Sequence, residues 1–194
     1  MTWKSFDEIY EHIGRFCVDF EQYCRSMEAC IRTILHSKGL TDESIQAILL
    51  SGHTAEPLRS LLQKLIGEML VNEDNKKLYS KAFARLQSII NERNDLIHAK
   101  WFMYGDLDKV SNKADFLAVG EKLHANKDGA DIKDFTLEKS KLDALIQECR
   151  DAGIIVSLLT RCVLGIRDIK DCFDIKNGEL VIKYEELKPD VKSV

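Results

Sequence analysis

An arginine stands on the apolar stripe of the most regular helical pattern in this chain. At about 100° per residue, Tyr79, Ala82, Phe83, Leu86, Ile89, Ile90 and Ile97 fall on one face. Arg93 falls near the centre of that face, almost in line with Leu86 and Ile97. A guanidinium turned towards a core must meet an anion or several acceptors, because a buried unpaired charge is very costly. Asn94 and His98 flank the same stripe. Three polar groups at the inward edge of one apolar helix mark a candidate site rather than a solvated surface.

The rest of the chain supplies partners for that helix. Phe6, Ile9, Ile13, Phe16, Cys17, Phe20, Cys24, Met27, Ile31, Ile34 and Leu35 recur at three and four, which predicts a long amphipathic helix ending near Gly39. Thr41-Asp42-Glu43-Ser44 offers an N-cap for a short helix through Leu50. A further helix is expected from Glu56-Pro57, with Leu58, Leu61, Leu62, Leu65, Ile66, Met69 and Leu70 on its apolar face. The arginine-bearing helix is expected over about Lys76–Ala99. After Trp101 the period changes, and Phe116–Leu123 and Ile132–Leu137 read as short extended segments around a turn-rich stretch at Asn126–Gly129. A last long helix is expected over Leu137–Ile169, with Gly153 and Gly165 as weak points or close-packing positions. Asn177-Gly178 between two apolar triplets predicts a short hairpin, and residues from about Lys188 read as a tail.

Four substantial helices with short connections predict an all-α, up-down four- to five-helix bundle. It carries a small β-hairpin or ordered-loop insertion, at about residues 103–137, before the last long helix. The expected organisation is a single helical domain over 1–170 followed by a C-terminal hairpin and tail over 171–194. A chain of 194 residues that is 45% hydrophobic and holds two prolines is long enough for a substantial core.

Charge and cysteines narrow the function classes. The net charge of −4, with both signs spread along the chain, argues against coating long nucleic acid, so any RNA contact must be local. Cys17, Cys24, Cys30, Cys149, Cys162 and Cys172 form no CxxC pair and read as reduced, buried small hydrophobes. Neither they nor the histidines have zinc-ligand spacing, so no metal or cofactor is expected. Met1–Phe16 carries charges and no apolar leader core. The longest apolar stretch, Ala152–Thr160, is too short to span a bilayer. A cytoplasmic protein without a membrane partner is expected.

Arg93-Asn94-Asp95-Leu96-Ile97-His98 resembles the signature of HEPN domains, in which an Arg and a polar residue are followed a few residues later by His. Its place near the end of an inner bundle helix, the following Trp101, the long excursion and the final helix are similar too, over roughly residues 5–170. The resemblance implies a metal-independent endoribonuclease, usually a homodimer whose paired motifs face one cleft. Such proteins are often toxins or antiviral-defence effectors released from an antitoxin or regulatory partner. Carried over, His98 is the general acid/base on the ribose 2′-OH or the leaving oxygen. Arg93 holds the scissile phosphate, and Asn94 takes the polar position. The residue types suit the chemistry: imidazole exchanges a proton near neutral pH, and a guanidinium forks two N–H groups onto phosphate oxygens. Lys100, Arg85 and Lys81 are candidate substrate-binding cations, the last two on an i,i+4 basic stripe with Lys77.

One point of geometry stands against a simple pair. On an ideal helix Arg93 and His98 lie about 140° apart and do not share a face. Unusual winding, a long reach by Arg93, or action across a dimer each resolves it, and the dimer asks least of one chain. Plainer roles compete. Arg93 can pair with a carboxylate on a neighbouring helix or with Asp95, His98 can cap a helix end, and Trp101 can be a packing anchor. The alternatives to an enzyme are a non-catalytic HEPN-like module that binds a nucleotide, RNA or protein, and a purely structural helical scaffold.

Overall fold

A computed structural model of the chain describes residues 3–105, 116–126 and 129–183. The elements run α1 (Phe6–Ser37), α2 (Glu43–Leu50), α3 (Ala55–Leu70), α4 (Lys76–His98), β1 (Lys100–Gly105), β2 (Phe116–Asn126), β3 (Gly129–Thr136), α5 (Lys139–Val163), α6 (Ile169–Cys172), β4 (Phe173–Lys176) and β5 (Glu179–Ile182). The fold is a mostly α bundle with a small β insertion before the last long helix. The chain gathers into two compact units, Met1–Glu21 with Ile89–Arg150, and Gln22–Ser88 with Asp151–Val194.

In the first unit, Ile9, Phe16 and Phe20 of α1 are buried, as are Ile89, Ile90 and Leu96 of α4, and Leu142, Ile146 and Cys149 of α5. Trp3 closes the chain's start onto this core: its ring is buried, and its indole Nε1 donates to the Leu137 carbonyl at 2.7 Å. A buried Trp needs such a partner, since an unmet N–H costs about 1–3 kcal/mol. Glu8 pairs with Lys139, and Arg150 Nε donates to Asp19 Oδ2 at 3.0 Å, so charged pairs bind the start of α5 and its midpoint to α1.

The insertion is an antiparallel sheet of order β1-β2-β3. The extended segment expected at 116–123 falls within β2, and the one expected at 132–137 overlaps β3 up to Thr136. Strand β1 was not expected: it starts directly after α4, and its run of large residues gives no clear period until Lys100 is set opposite Glu121 and Phe102 opposite Val119. Of the expected turn, Lys127 and Asp128 lie outside the described residues, as does the tail from Lys188.

In the second unit, Met27, Ile31 and Ile34 of α1 are buried, with Leu58, Leu62 and Ile66 of α3, Ala82 and Leu86 of α4, and Ile155 and Leu159 of α5. The Tyr23 hydroxyl donates to the Leu86 carbonyl at 3.2 Å. Asp42 caps α2 as expected, its Oδ1 accepting from the backbone of Ser44 and Ile45. The C-terminal hairpin forms around Asn177 (φ +53°) and Gly178 (φ +82°), the two successive positive φ values of a type I′ turn.

The last long helix ends earlier than expected, at Val163 rather than Ile169. Gly165 takes φ +69°, its N–H donates to the Cys162 carbonyl, and the Ile166 N–H donates to the Arg161 carbonyl at 2.9 Å. This pair of bonds is a Schellman stop, which satisfies carbonyls the helix end would otherwise leave bare. Ile166 sits past the stop and is exposed, so its apolar periodicity was accidental. Gly39 ends α1 in the same way, its N–H donating to the His36 carbonyl and that of Leu40 to the Leu35 carbonyl.

The two glycines therefore have opposite substitution signs. A Cβ on Gly153, inside α5, would meet Ser26 Oγ at an ordinary 3.8 Å, so Gly153→Ala should stabilise by about 0.5–1 kcal/mol. Gly165→Ala should destabilise by about 1–2 kcal/mol, the cost of a left-handed L-residue. Urea unfolding midpoints of the two variants check both signs.

Candidate functional site

Helix α4 carries the site on its last three turns, which belong to the first unit. Tyr79, Ala82, Phe83, Leu86, Ile89 and Ile90 are buried as the periodicity requires. In the final turn the pattern departs: Leu96 is buried, whereas Ile97 is half-buried. The Leu96 carbonyl, one of those a helix end cannot satisfy itself, accepts from Trp101 Nε1 at 2.8 Å. Trp101 is half-buried and acts as the anchor that turns the chain from α4 into β1.

Arg93 is half-buried on the inward side of α4. Its guanidinium carbon lies 5.4 Å from the centroid of the Phe20 ring. One nitrogen, Nη1, donates to Asn94 Oδ1 at 3.3 Å. Among the described residues it makes no ion pair with a carboxylate. Its neighbour Glu92 lies 3.5 Å from Lys141 instead. The charge is thus held by a π face and a neutral amide, an arrangement worth about 0.5–2 kcal/mol from the ring. Nearby Cys17 feels this cation: burial pushes its thiol above the ordinary range, and the Arg93 charge partly offsets that.

His98 is exposed and is the last residue of α4. The helix stays α-helical through it, so the angle between Arg93 and His98 remains the regular one, about 140°. The structure brings Arg93 and Asn94 into hydrogen-bond contact; His98 stands one turn beyond Asn94 on the same side of α4 and on a different side from Arg93. Lys100 is exposed on β1, opposite Glu121. Lys81 and Arg85 belong to the second unit and are half-buried. Arg85 Nη2 donates to Asp151 Oδ2 at 2.7 Å, so its charge is already met within the fold.

Other clusters offer less. A groove of about 580 Å³ in the second unit is lined by Arg32, His36, Glu43, Gln46 and Leu164 among others. It mixes signs, and the Gln46 amide is spent on the Leu40 carbonyl. All six cysteines are free thiols; four are buried as expected, while Cys17 and Cys24 are half-buried. The hydrogen bond that the Cys162 thiol shares with Cys172, which favours its protonated form, and burial push this thiol far up, the opposite of what a nucleophile needs. No group of three or more His, Cys, Asp or Glu is gathered for a metal ion among the described residues. No helix among them is long and apolar enough to cross a membrane.

The sequence singles out Trp101, as a packing anchor, and not Phe102 and Tyr104, which are exposed aromatics of β1. The alternation of Lys100, Phe102 and Tyr104 was the available signal, masked by the interleaved Trp101 and Met103. Comparison with known proteins finds no matching family model, no matching curated protein and no matching solved structure.

The two arginines should separate in unfolding measurements. Arg85→Ala removes the guanidinium that meets the largely buried Asp151 carboxylate at 2.7 Å and should cost about 2–4 kcal/mol. Arg93→Ala removes only a ring contact and a bond to an amide and should cost about 1–2 kcal/mol. Equal losses in denaturant titrations would show that Arg93 is a structural residue.

Proposed function

We propose that this protein is a metal-independent endoribonuclease of HEPN type, in which Arg93, Asn94 and His98 act on RNA at the cleft of a homodimer. One observation carries the reading: Arg93, on the inward side of α4, is held by Phe20 and Asn94, and among the described residues no carboxylate pairs with it. A cation kept near a core without an anionic partner is a ready receptor for an anion brought by a substrate.

The chemistry follows from residue type. RNA carries its own nucleophile, the 2′-hydroxyl, next to the scissile phosphate. His98, exposed at the end of α4, takes the 2′-OH proton as O2′ attacks phosphorus, or protonates the departing 5′-oxygen. Arg93 places two N–H groups on the non-bridging oxygens, whose negative charge grows as the fifth bond forms. The Asn94 carbonyl orients the guanidinium by accepting from Nη1.

Because α4 keeps Arg93 and His98 on different faces, the complete pair is drawn from two copies of the chain. A toxin or antiviral-defence setting, with an antitoxin or regulatory protein as partner, would suit an RNA-cutting enzyme of this size. The separation of the two side chains also favours a second reading, a non-catalytic module that uses Arg93 to bind RNA, a nucleotide or a protein.

Total RNA incubated with the purified protein in excess EDTA distinguishes the readings. Cleavage by the wild-type protein should fall by at least about 100-fold in His98→Ala and in Arg93→Ala, with the melting curve of His98→Ala unchanged. Intact RNA with the wild type, together with RNA binding that depends on Arg93, would replace the enzyme with the binding module. Light scattering should give a dimer at micromolar concentration, and a monomer would contradict the shared cleft.

A further inference from the structure

Strand β1 begins two residues beyond His98, and its two faces differ. Trp101 and Met103 are half-buried, while Lys100, Phe102 and Tyr104 stand exposed, Phe102 at 40% and Tyr104 at 56%. Side chains two apart on a strand share a face and are spaced by about 7 Å. Phe102 and Tyr104 therefore present two neighbouring rings, with an ammonium group at Lys100 on the same side. Their cross-strand positions are Val119 and Leu117, and Lys100 lies opposite Glu121. The strand is an edge of the β1-β2-β3 sheet.

Isolated apolar residues on a surface need no explanation. Two large aromatics aligned on one strand face beside a lysine are a different case. Every base has a π face, so aromatic side chains in series bind unpaired bases with little regard to sequence, while nearby cations meet the phosphates. A paired helix keeps its bases stacked inside and offers such a face nothing to hold.

We infer that Phe102 and Tyr104 form a stacking platform for unpaired bases, with Lys100 meeting the backbone, so that the substrate class of this protein is single-stranded RNA. This inference rests on the RNA-cutting reading above and narrows it. The platform joins the site through the chain itself: Ala99 alone separates His98 from β1. A strand bound across the rings would lead its backbone towards the end of α4. Duplex regions are excluded, and cleavage falls in loops and unpaired stretches.

The test uses the full-length His98→Ala protein, so that bound RNA survives, and fluorescence anisotropy with labelled oligoadenylate, free or annealed to oligouridylate. Binding of the single strand should exceed that of the duplex by about tenfold or more. A Phe102→Leu/Tyr104→Leu variant keeps apolar bulk for folding and removes the flat rings; it should lose about tenfold or more in single-strand affinity. Unchanged affinity in that variant overturns the platform and leaves the RNA-cutting reading standing. Failure of the His98→Ala protein to bind either RNA overturns both. A change in sedimentation without a change in RNA affinity assigns the face to a second copy of the chain and also overturns the platform.

Discussion

The regular winding of α4 governs the site, because each residue turns the helix by about 100° and nothing in its last turns relaxes that rule. The same rotation that lines Leu86, Ile89 and Ile90 along the core brings Arg93 to the inward side and sends His98 outward. A full charge on that side would be prohibitive if isolated. It is tolerated because the burial is partial, because the Phe20 ring offers its negative face, and because Asn94 accepts one N–H. An acidic partner would have been the stronger fastening. Its absence among the described residues leaves the guanidinium with N–H groups to spare, which is the ground of the proposed anion-binding role.

The end of α4 shows how local chemistry positions the neighbouring surface. A helix end leaves carbonyls without donors, and Trp101 supplies one to Leu96. That bond settles which side of β1 faces inward. Once Trp101 is anchored, the period of two puts Met103 on the same side and turns Lys100, Phe102 and Tyr104 outward. The rings are thus displayed as a consequence of satisfying one carbonyl, and the sheet then holds them through the β1–β2 pairing.

Much of this architecture was legible in the residues, for reasons that differ by element. Helices α1, α3 and α4 announce themselves by long apolar periods, and the Asn177-Gly178 turn by its need for two positive φ values. The stop of α5 was missed because Ile166 extends the apolar period past Gly165, and periodicity cannot see a left-handed glycine. Strand β1 was missed because five large residues in a row hide an alternation that only a neighbouring strand reveals. At the site, the inward place of Arg93 followed from counting turns. The engagement of Arg85 by Asp151 could not be read, since the two lie far apart in sequence and only the fold brings them together. Nor could the support of Arg93 by Phe20, which comes from a different helix.

One helix keeps Arg93 and His98 on different faces, and the proposed cleft therefore draws one of them from each of two chains. Mixing inactive Arg93→Ala protein with inactive His98→Ala protein tests this most directly. In the mixed dimer one cleft combines an intact Arg93 from one copy with an intact His98 from the other. Action across the dimer predicts that RNA cleavage in excess EDTA returns on mixing. Cleavage that stays absent, with mixed dimers shown to form by differently tagged copies, would contradict it and confine the pair to a single chain.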